Sequence, residues 1–131
     1  MNTARKGAST ALAVAAALAR RGETILMPYS DAERYDLALD RNGTLYRIQC
    51  KTGRLRAGAV IFNTCSGTRR SDRRDYTGQI EAFGVFCEDL GVSFLVPVEN
   101  VKAKTACWLR VDPAKHHGRR KHVHDANQYL I

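Results

Sequence analysis

The 131-residue sequence has no long apolar run. None approaches the ~20 residues of a helical membrane span, so the expected partners do not include a membrane interior. It has no CxxC pair either. Cys50, Cys65, Cys87 and Cys107 stand far apart, each beside apolar residues. That pattern predicts buried, reduced thiols and an intracellular setting. A clean signal-cleavage site is also missing. The Ala-rich stretch ALAVAAALA (11–19) follows Arg5 and Lys6 as a signal core would, but RRGETI comes next instead of small residues. No internal repeat and no linker interrupt the chain. Acidic residues are few: 13 Asp and Glu stand against 21 Lys and Arg, a formal net charge of +8.

What is present bounds the answer further. The length suits one domain with a single modest core. Hydrophobic residues at 44% and charged residues at 26% are an ordinary globular balance, so the charge excess is the feature to explain. An excess of cations favours a polyanionic partner, because neutralising phosphates releases counterions. An anionic membrane surface is the competing partner.

Residues 3–21 predict a helix, rich in alanine, with Arg20 and Arg21 at its C-terminal end and Gly22 as its stop. TILMP (24–28) predicts a short strand ended by Pro28. A hairpin is expected over roughly 34–51 and a strand over AVIFNTC (59–65). AFGVFCE (82–88) and SFLVPV (93–98) should pair across DLGV, and CWLRV (107–111) should be a last strand. ENVKAKT is a connecting segment, and the tail KHHGRRKHVHDANQYLI is basic and then weakly helical. The order implies an α+β fold.

The hairpin YDLALDRNGTLYRIQCKTG (35–53) carries the chemistry. A two-residue Asn42-Gly43 turn pairs Arg41 with Thr44, Leu39 with Tyr46 and Leu37 with Ile48, and sets Asp36 opposite Gln49. Side chains alternate between faces. Asp36, Gln49 and Lys51 then share one face, and Leu37, Ile48 and Cys50 the other. Asp36 is a hard oxygen ligand for Mg²⁺; the Gln49 amide oxygen and the Cys50 backbone carbonyl can add two more. Lys51 beside the metal can serve a water and the charge on a phosphate. Spacing alone also allows a plain Asp–Lys ion pair on an exposed sheet face, with an incidental glutamine.

YDLALDRNGTLYRIQCKT resembles the active-site motif of PD-(D/E)XK nucleases in its Q-x-K variant, with Asp36 followed by Gln49-Cys50-Lys51. RKGASTALAVAAALARRGETILMP (5–28) resembles the family's opening helix, strand and proline. DYTGQIEAFGVFCEDLGVSFLVPVENV (75–101) resembles the strand pair after the active site in the group I intron-encoded homing endonuclease branch. The resemblance implies a restriction-endonuclease-like core over 1–131, with the N-terminal helix packed on a mixed, mainly antiparallel sheet and a basic tail behind it. It implies Mg²⁺-dependent, site-specific cleavage of double-stranded DNA by a homo-oligomer, a dimer or a tetramer. The family usually carries a glutamate in the first helix, four residues after its Lys-Gly; here that position is Ala11. Glu23 and Glu81 are the acidic residues that could replace it.

The basic segments supply a DNA surface. SGTRRSDRRDY (66–76) sets Arg69, Arg70, Arg73 and Arg74 in one loop, and guanidinium forks grip phosphates or guanine edges. Arg54 and Arg56 follow Lys51, and the tail adds Lys115, Arg119, Arg120 and Lys121. His116, His117, His122 and His124 invite a zinc reading. Without a nearby cysteine, and with an adjacent His-His pair, a DNA-facing tail fits better. Trp108 reads as core or subunit interface. Two other functions stay open: a Holliday-junction-resolving nuclease of the same superfamily, and a DNA-binding protein without catalysis.

Overall fold

The computed structural model describes residues 2–67, 71, 73–112 and 123–131. The described elements are α1 (Thr3–Arg20), β1 (Thr24–Leu26), β2 (Leu37–Arg41), β3 (Thr44–Arg56), β4 (Ala59–Asn63), β5 (Ala82–Cys87), β6 (Val92–Pro97), β7 (Ala106–Arg110) and β8 (Val123–Asp125). Short 3-10 turns occupy Val98–Asn100 and Ala126–Tyr129.

α1 begins where Asn2 Oδ1 accepts the Arg5 amide at 2.9 Å, satisfying a donor that has no partner inside the helix. It closes at Gly22, whose φ of +85° only glycine adopts freely. The Gly22 amide reaches Ala19 O at 3.0 Å and the Glu23 amide reaches Leu18 O at 3.1 Å, the bond pair of a Schellman end. Thr10, Val14, Ala17 and Leu18 recur at helical spacing and are buried. Val14 and Leu18 pack with Leu37, Leu39, Ile48, Cys50 and Ala82. Gly84 permits the approach: a Cβ there would lie 2.6 Å from Val14 Cγ1 and 3.1 Å from Ile48 Cγ2.

β3 organises the sheet. Asn42 and Gly43 have φ of 55° and 87°, the left-handed pair of a type I′ turn. The ladder from Arg41↔Thr44 to Leu37↔Ile48 has the expected register. β3 then outlasts its hairpin partner and runs to Arg56 instead of ending near Lys51. Its middle, Ile48 to Gly53, pairs parallel with β5, and its end pairs antiparallel with β4 across Ala57-Gly58. β5 pairs with β6 as expected; β1 pairs with β2. β4 continues to β7, and β7 to β8.

The result is a mixed, mostly antiparallel sheet with one N-terminal helix on it, the α+β architecture expected. The face away from α1 packs a second cluster around Phe62, Tyr76, Phe83, Val85, Phe94 and Leu109. The described part of the tail corrects one expectation: His124 lies in strand β8, and only Ala126–Tyr129 turns. All four cysteines are free and buried.

Candidate active site

The site forms where β2 has not begun and β3 already has its other neighbour. The register of the β2–β3 ladder starts at Leu37↔Ile48. Asp36 stands one step off it, because its amide donates to Ile48 O at 2.8 Å. It therefore does not sit squarely opposite Gln49, as an unbroken ladder would place it. The chain bends at this residue, and the bend turns the carboxylate toward β3. Asp36 Oδ2 accepts the Cys50 amide at 2.9 Å, a ladder donor that β2 is too short to reach. A strand residue presents its N–H and C=O to the same edge, so the Cys50 carbonyl faces this gap as well. The Gln49 side-chain amide lies 3.5 Å from that carbonyl oxygen.

Gln49 and Lys51 project from the face away from α1, while Ile48 and Cys50 pack beneath the helix. The half-buried Lys51 extends to the far wall, where Nζ donates to Tyr76 Oη at 3.0 Å and to Cys65 O at 3.2 Å. Among the described residues Asp36 and Lys51 make no ion pair with each other; each has partners of its own. The plain ion-pair reading therefore does not describe this face. Asp36 is exposed, which suits a substrate too wide to enter a closed cavity. A groove of about 660 Å³ opens next to Tyr76 and Cys65 instead, with Arg73, Lys102 and Lys104 along it.

The donors fit a hard cation by type. Asp36 Oδ1 takes no bond among the described residues, and the Cys50 carbonyl and the Gln49 amide oxygen are neutral oxygens of the kind Mg²⁺ accepts beside water. The negative charge available to a divalent cation is low. Among the described residues no three His, Cys, Asp or Glu side chains gather as a metal-holding group. The two acidic residues that could add charge are engaged elsewhere. Glu23 is gripped by Arg41, Nη2 to Oε1 at 2.7 Å, and Glu81 by Arg47, Nε to Oε2 at 2.9 Å. Ala11 packs at the edge of the helix–sheet cluster. Its neighbour Thr10 shares a 2.7 Å hydrogen bond with Thr52, the residue after Lys51. This turn of α1 is therefore pinned to β3 at the level of the site.

Burial of the Cys50 thiol, with the Asp36 charge as a lesser cause, pushes its pKa far up. It stays a neutral thiol beneath the helix.

The basic residues divide. Arg54 and Arg56 are exposed on the end of β3 that pairs with β4. By strand alternation they stand on the Cys50 and Thr52 face of β3, opposite Gln49 and Lys51. Arg73 and Arg74 are exposed on the loop. Arg69, Arg70, Lys115, Arg119, Arg120 and Lys121, with His116, His117 and His122, lie outside the described residues.

With this geometry in place, comparison with known proteins identifies the family. The sequence pattern of the PD-(D/E)XK endonuclease family matches residues 1–131. The chain belongs to the PD-(D/E)XK endonuclease family. A solved structure titled as a bacterial homing endonuclease, I-Ssp6803I, is similar with a TM-score of 0.77 and 21% sequence identity, over 99% of this chain and 89% of that one. At that identity the likeness establishes the restriction-endonuclease-like fold. No curated relative matches.

Two features are not foreseen from the sequence: Arg34 and the anchoring of Lys51 by Tyr76. Tyr76 lies in the stretch that resembles the family, and a tyrosine closing an arginine-rich loop is a usable signal. Arg34, in DAERYD, carries none.

Proposed function

We propose that this PD-(D/E)XK endonuclease is a site-specific, homing-type enzyme that hydrolyses phosphodiesters of double-stranded DNA with Mg²⁺. The observation that carries the reading is the Asp36 carboxylate bound to the Cys50 amide. It draws Asp36 to the Gln49-Cys50-Lys51 segment, in the gap beside β3 between the ladders of β2 and β4. Asp36, the Gln49 amide oxygen and the Cys50 carbonyl would hold the cation. Once bound, Mg²⁺ would polarise the phosphate and acidify a water. Lys51 Nζ stands on the same face, donates to the charge that grows on the phosphate oxygens, and orients the water that attacks phosphorus. Arg54, Arg56, Arg73 and Arg74, with Arg69, Arg70, Arg119 and Arg120, would grip the backbone around the cut.

Ala11 sets the rate. With one carboxylate and neutral oxygens the cation is held loosely, and placing it against a scissile phosphate is harder. The chain as written would bind DNA and cut it slowly. The test offers Ala11→Glu and the unchanged chain a randomised duplex library, a supercoiled plasmid and a four-way junction, each with Mg²⁺. Cutting of one duplex sequence supports the homing reading. Cutting of the junction alone makes the protein a resolvase. Binding with no cutting by either chain makes it a DNA-binding protein without catalysis.

A further inference from the structure

Lys51 is held by a device that the metal-and-water chemistry does not require. The Tyr76 ring is 4% exposed and packs edge-on against Phe83, centroids 5.7 Å apart. Its hydroxyl takes Lys51 Nζ at 3.0 Å. On the same ring lies the guanidinium of Arg34, 4.0 Å from the centroid. Arg34 in turn clasps both ends of the arginine loop. Nη1 donates to Ser66 Oγ at 2.9 Å and Nη2 to Asp75 O at 2.8 Å, and Nε donates to Gln79 Oε1 at 2.8 Å. The loop's ends are closed by a reciprocal pair, Ser66 N to Arg74 O at 2.9 Å and Arg74 N to Ser66 O at 3.0 Å. Cys65, whose carbonyl is the other Lys51 acceptor, directly precedes that pair. Arg34 also stands two residues before Asp36.

We infer that Arg34 and Tyr76 are positioning residues that fix the Lys51 ammonium and tie it to the base of the arginine loop. The inference rests on the nuclease reading for its purpose, but its geometry is independent of it. An arginine held by several acceptors and an aromatic face gives up more side-chain entropy than packing alone demands. What that ordering fixes is the wall to which Lys51 is anchored. The Arg74 backbone at the base of the loop is thereby held in a fixed relation to Lys51. Two oxygens on a rigid wall give the ammonium one orientation where a free lysine would have many.

The test reads Lys51 directly. Competitive acetylation of the whole protein, followed by mass spectrometry, compares Lys51 with Lys102 and Lys104 as internal standards. Tyr76→Phe keeps the ring between Arg34 and Phe83 and removes only the hydroxyl, so the fold is retained. Losing a hydrogen bond to a charged donor corresponds to about tenfold, so Lys51 should be labelled about tenfold faster, with Lys102 and Lys104 unchanged. Arg34→Lys keeps the charge but lacks the fork, and should give the same direction. In the Ala11→Glu protein, Tyr76→Phe should lower the single-turnover cutting rate while leaving DNA affinity alone. It should cost nothing further once Lys51 is alanine, since the two then act through one group. Unchanged Lys51 labelling in Tyr76→Phe overturns the inference, as does an added loss of cutting in the Lys51→Ala background. If Lys51 responds as expected but no variant cuts DNA, the positioning device stands and the nuclease reading falls.

Discussion

Asp36 is useful because it breaks the ladder. Its amide bonds Ile48 O one step out of register, and its carboxylate takes a Cys50 donor that a longer β2 would have used. Alternation of apolar and polar residues predicts one face for Asp36, Gln49 and Lys51; in the fold the Asp36 carboxylate meets the Cys50 amide, and Lys51 reaches away to Tyr76 and Cys65. The bend is not legible in the sequence, since nothing in the identities of Tyr35 and Asp36 announces a lost rung. Nor is the capture of Lys51 by Tyr76, which joins residues 25 positions apart. Two predictions belong here. Ala11→Glu adds a carboxylate on the turn of α1 pinned beside Lys51. Metal-dependent cutting should rise by an order of magnitude or more, read as a single-turnover rate on duplex DNA, while affinity without metal stays the same. The second concerns Cys107, whose thiol burial pushes from 9.0 to about 11. A thiol kept neutral in the fold but free to ionise in the unfolded chain stabilises fully below pH 9.0 and loses that contribution as the pH rises toward 11. Stability should therefore fall between those values, and Cys107→Ser should flatten part of the fall in a urea titration at several pH values. An unchanged slope would contradict the burial argument.

At the scale of elements, local signals are legible and distant pairings are not. The Ala-rich helix, the Asn-Gly hairpin and the β5–β6 pair each carry their signal within about twenty residues. The parallel pairing of β3 with β5 does not: its paired residues, such as Ile48 and Ala82, stand 34 positions apart and no turn chemistry marks it. The same holds for β4 with β7. The extension of β3 to Arg56 is hidden for a related reason. KTGRLR has a glycine and three cations, which suggest a loop until β4 and β5 are seen to need partners. Gly53 in that run is itself a packing choice, since a Cβ there would meet Val60 Cγ1 at 2.6 Å. Gly84 tests how the helix sits on the sheet. Gly84→Ala forces a methyl to within 2.6 Å of Val14 Cγ1, and overpacking of that kind costs about 1–3 kcal/mol. The denaturation midpoint should drop accordingly, and Val14→Ala should recover part of the loss in a double-mutant cycle. Simple addition of the two losses would show that α1 does not rest on Gly84.

For the whole molecule, charge and size set the expectations. With a net charge of +8 and several guanidinium contacts to phosphates, log affinity for duplex DNA should fall by about 0.9 per contact for each decade of salt. A flat response between low and physiological salt would remove the nucleic-acid partner. A chain of 131 residues covers too little duplex to read a long site alone, so we expect a dimer or tetramer, measured by light scattering on the protein with and without DNA. The central claim is that DNA is cut where the Asp36 carboxylate meets the Cys50 amide of the Gln49-Cys50-Lys51 segment. The most direct measurement is Mg²⁺-dependent single-turnover cleavage of the selected duplex by Ala11→Glu, compared with the same protein carrying Asp36→Asn. The substitution keeps size and hydrogen bonding while removing the charge. Cleavage should fall to the level seen without metal, with DNA affinity retained; equal cutting by the two proteins would place the active site elsewhere.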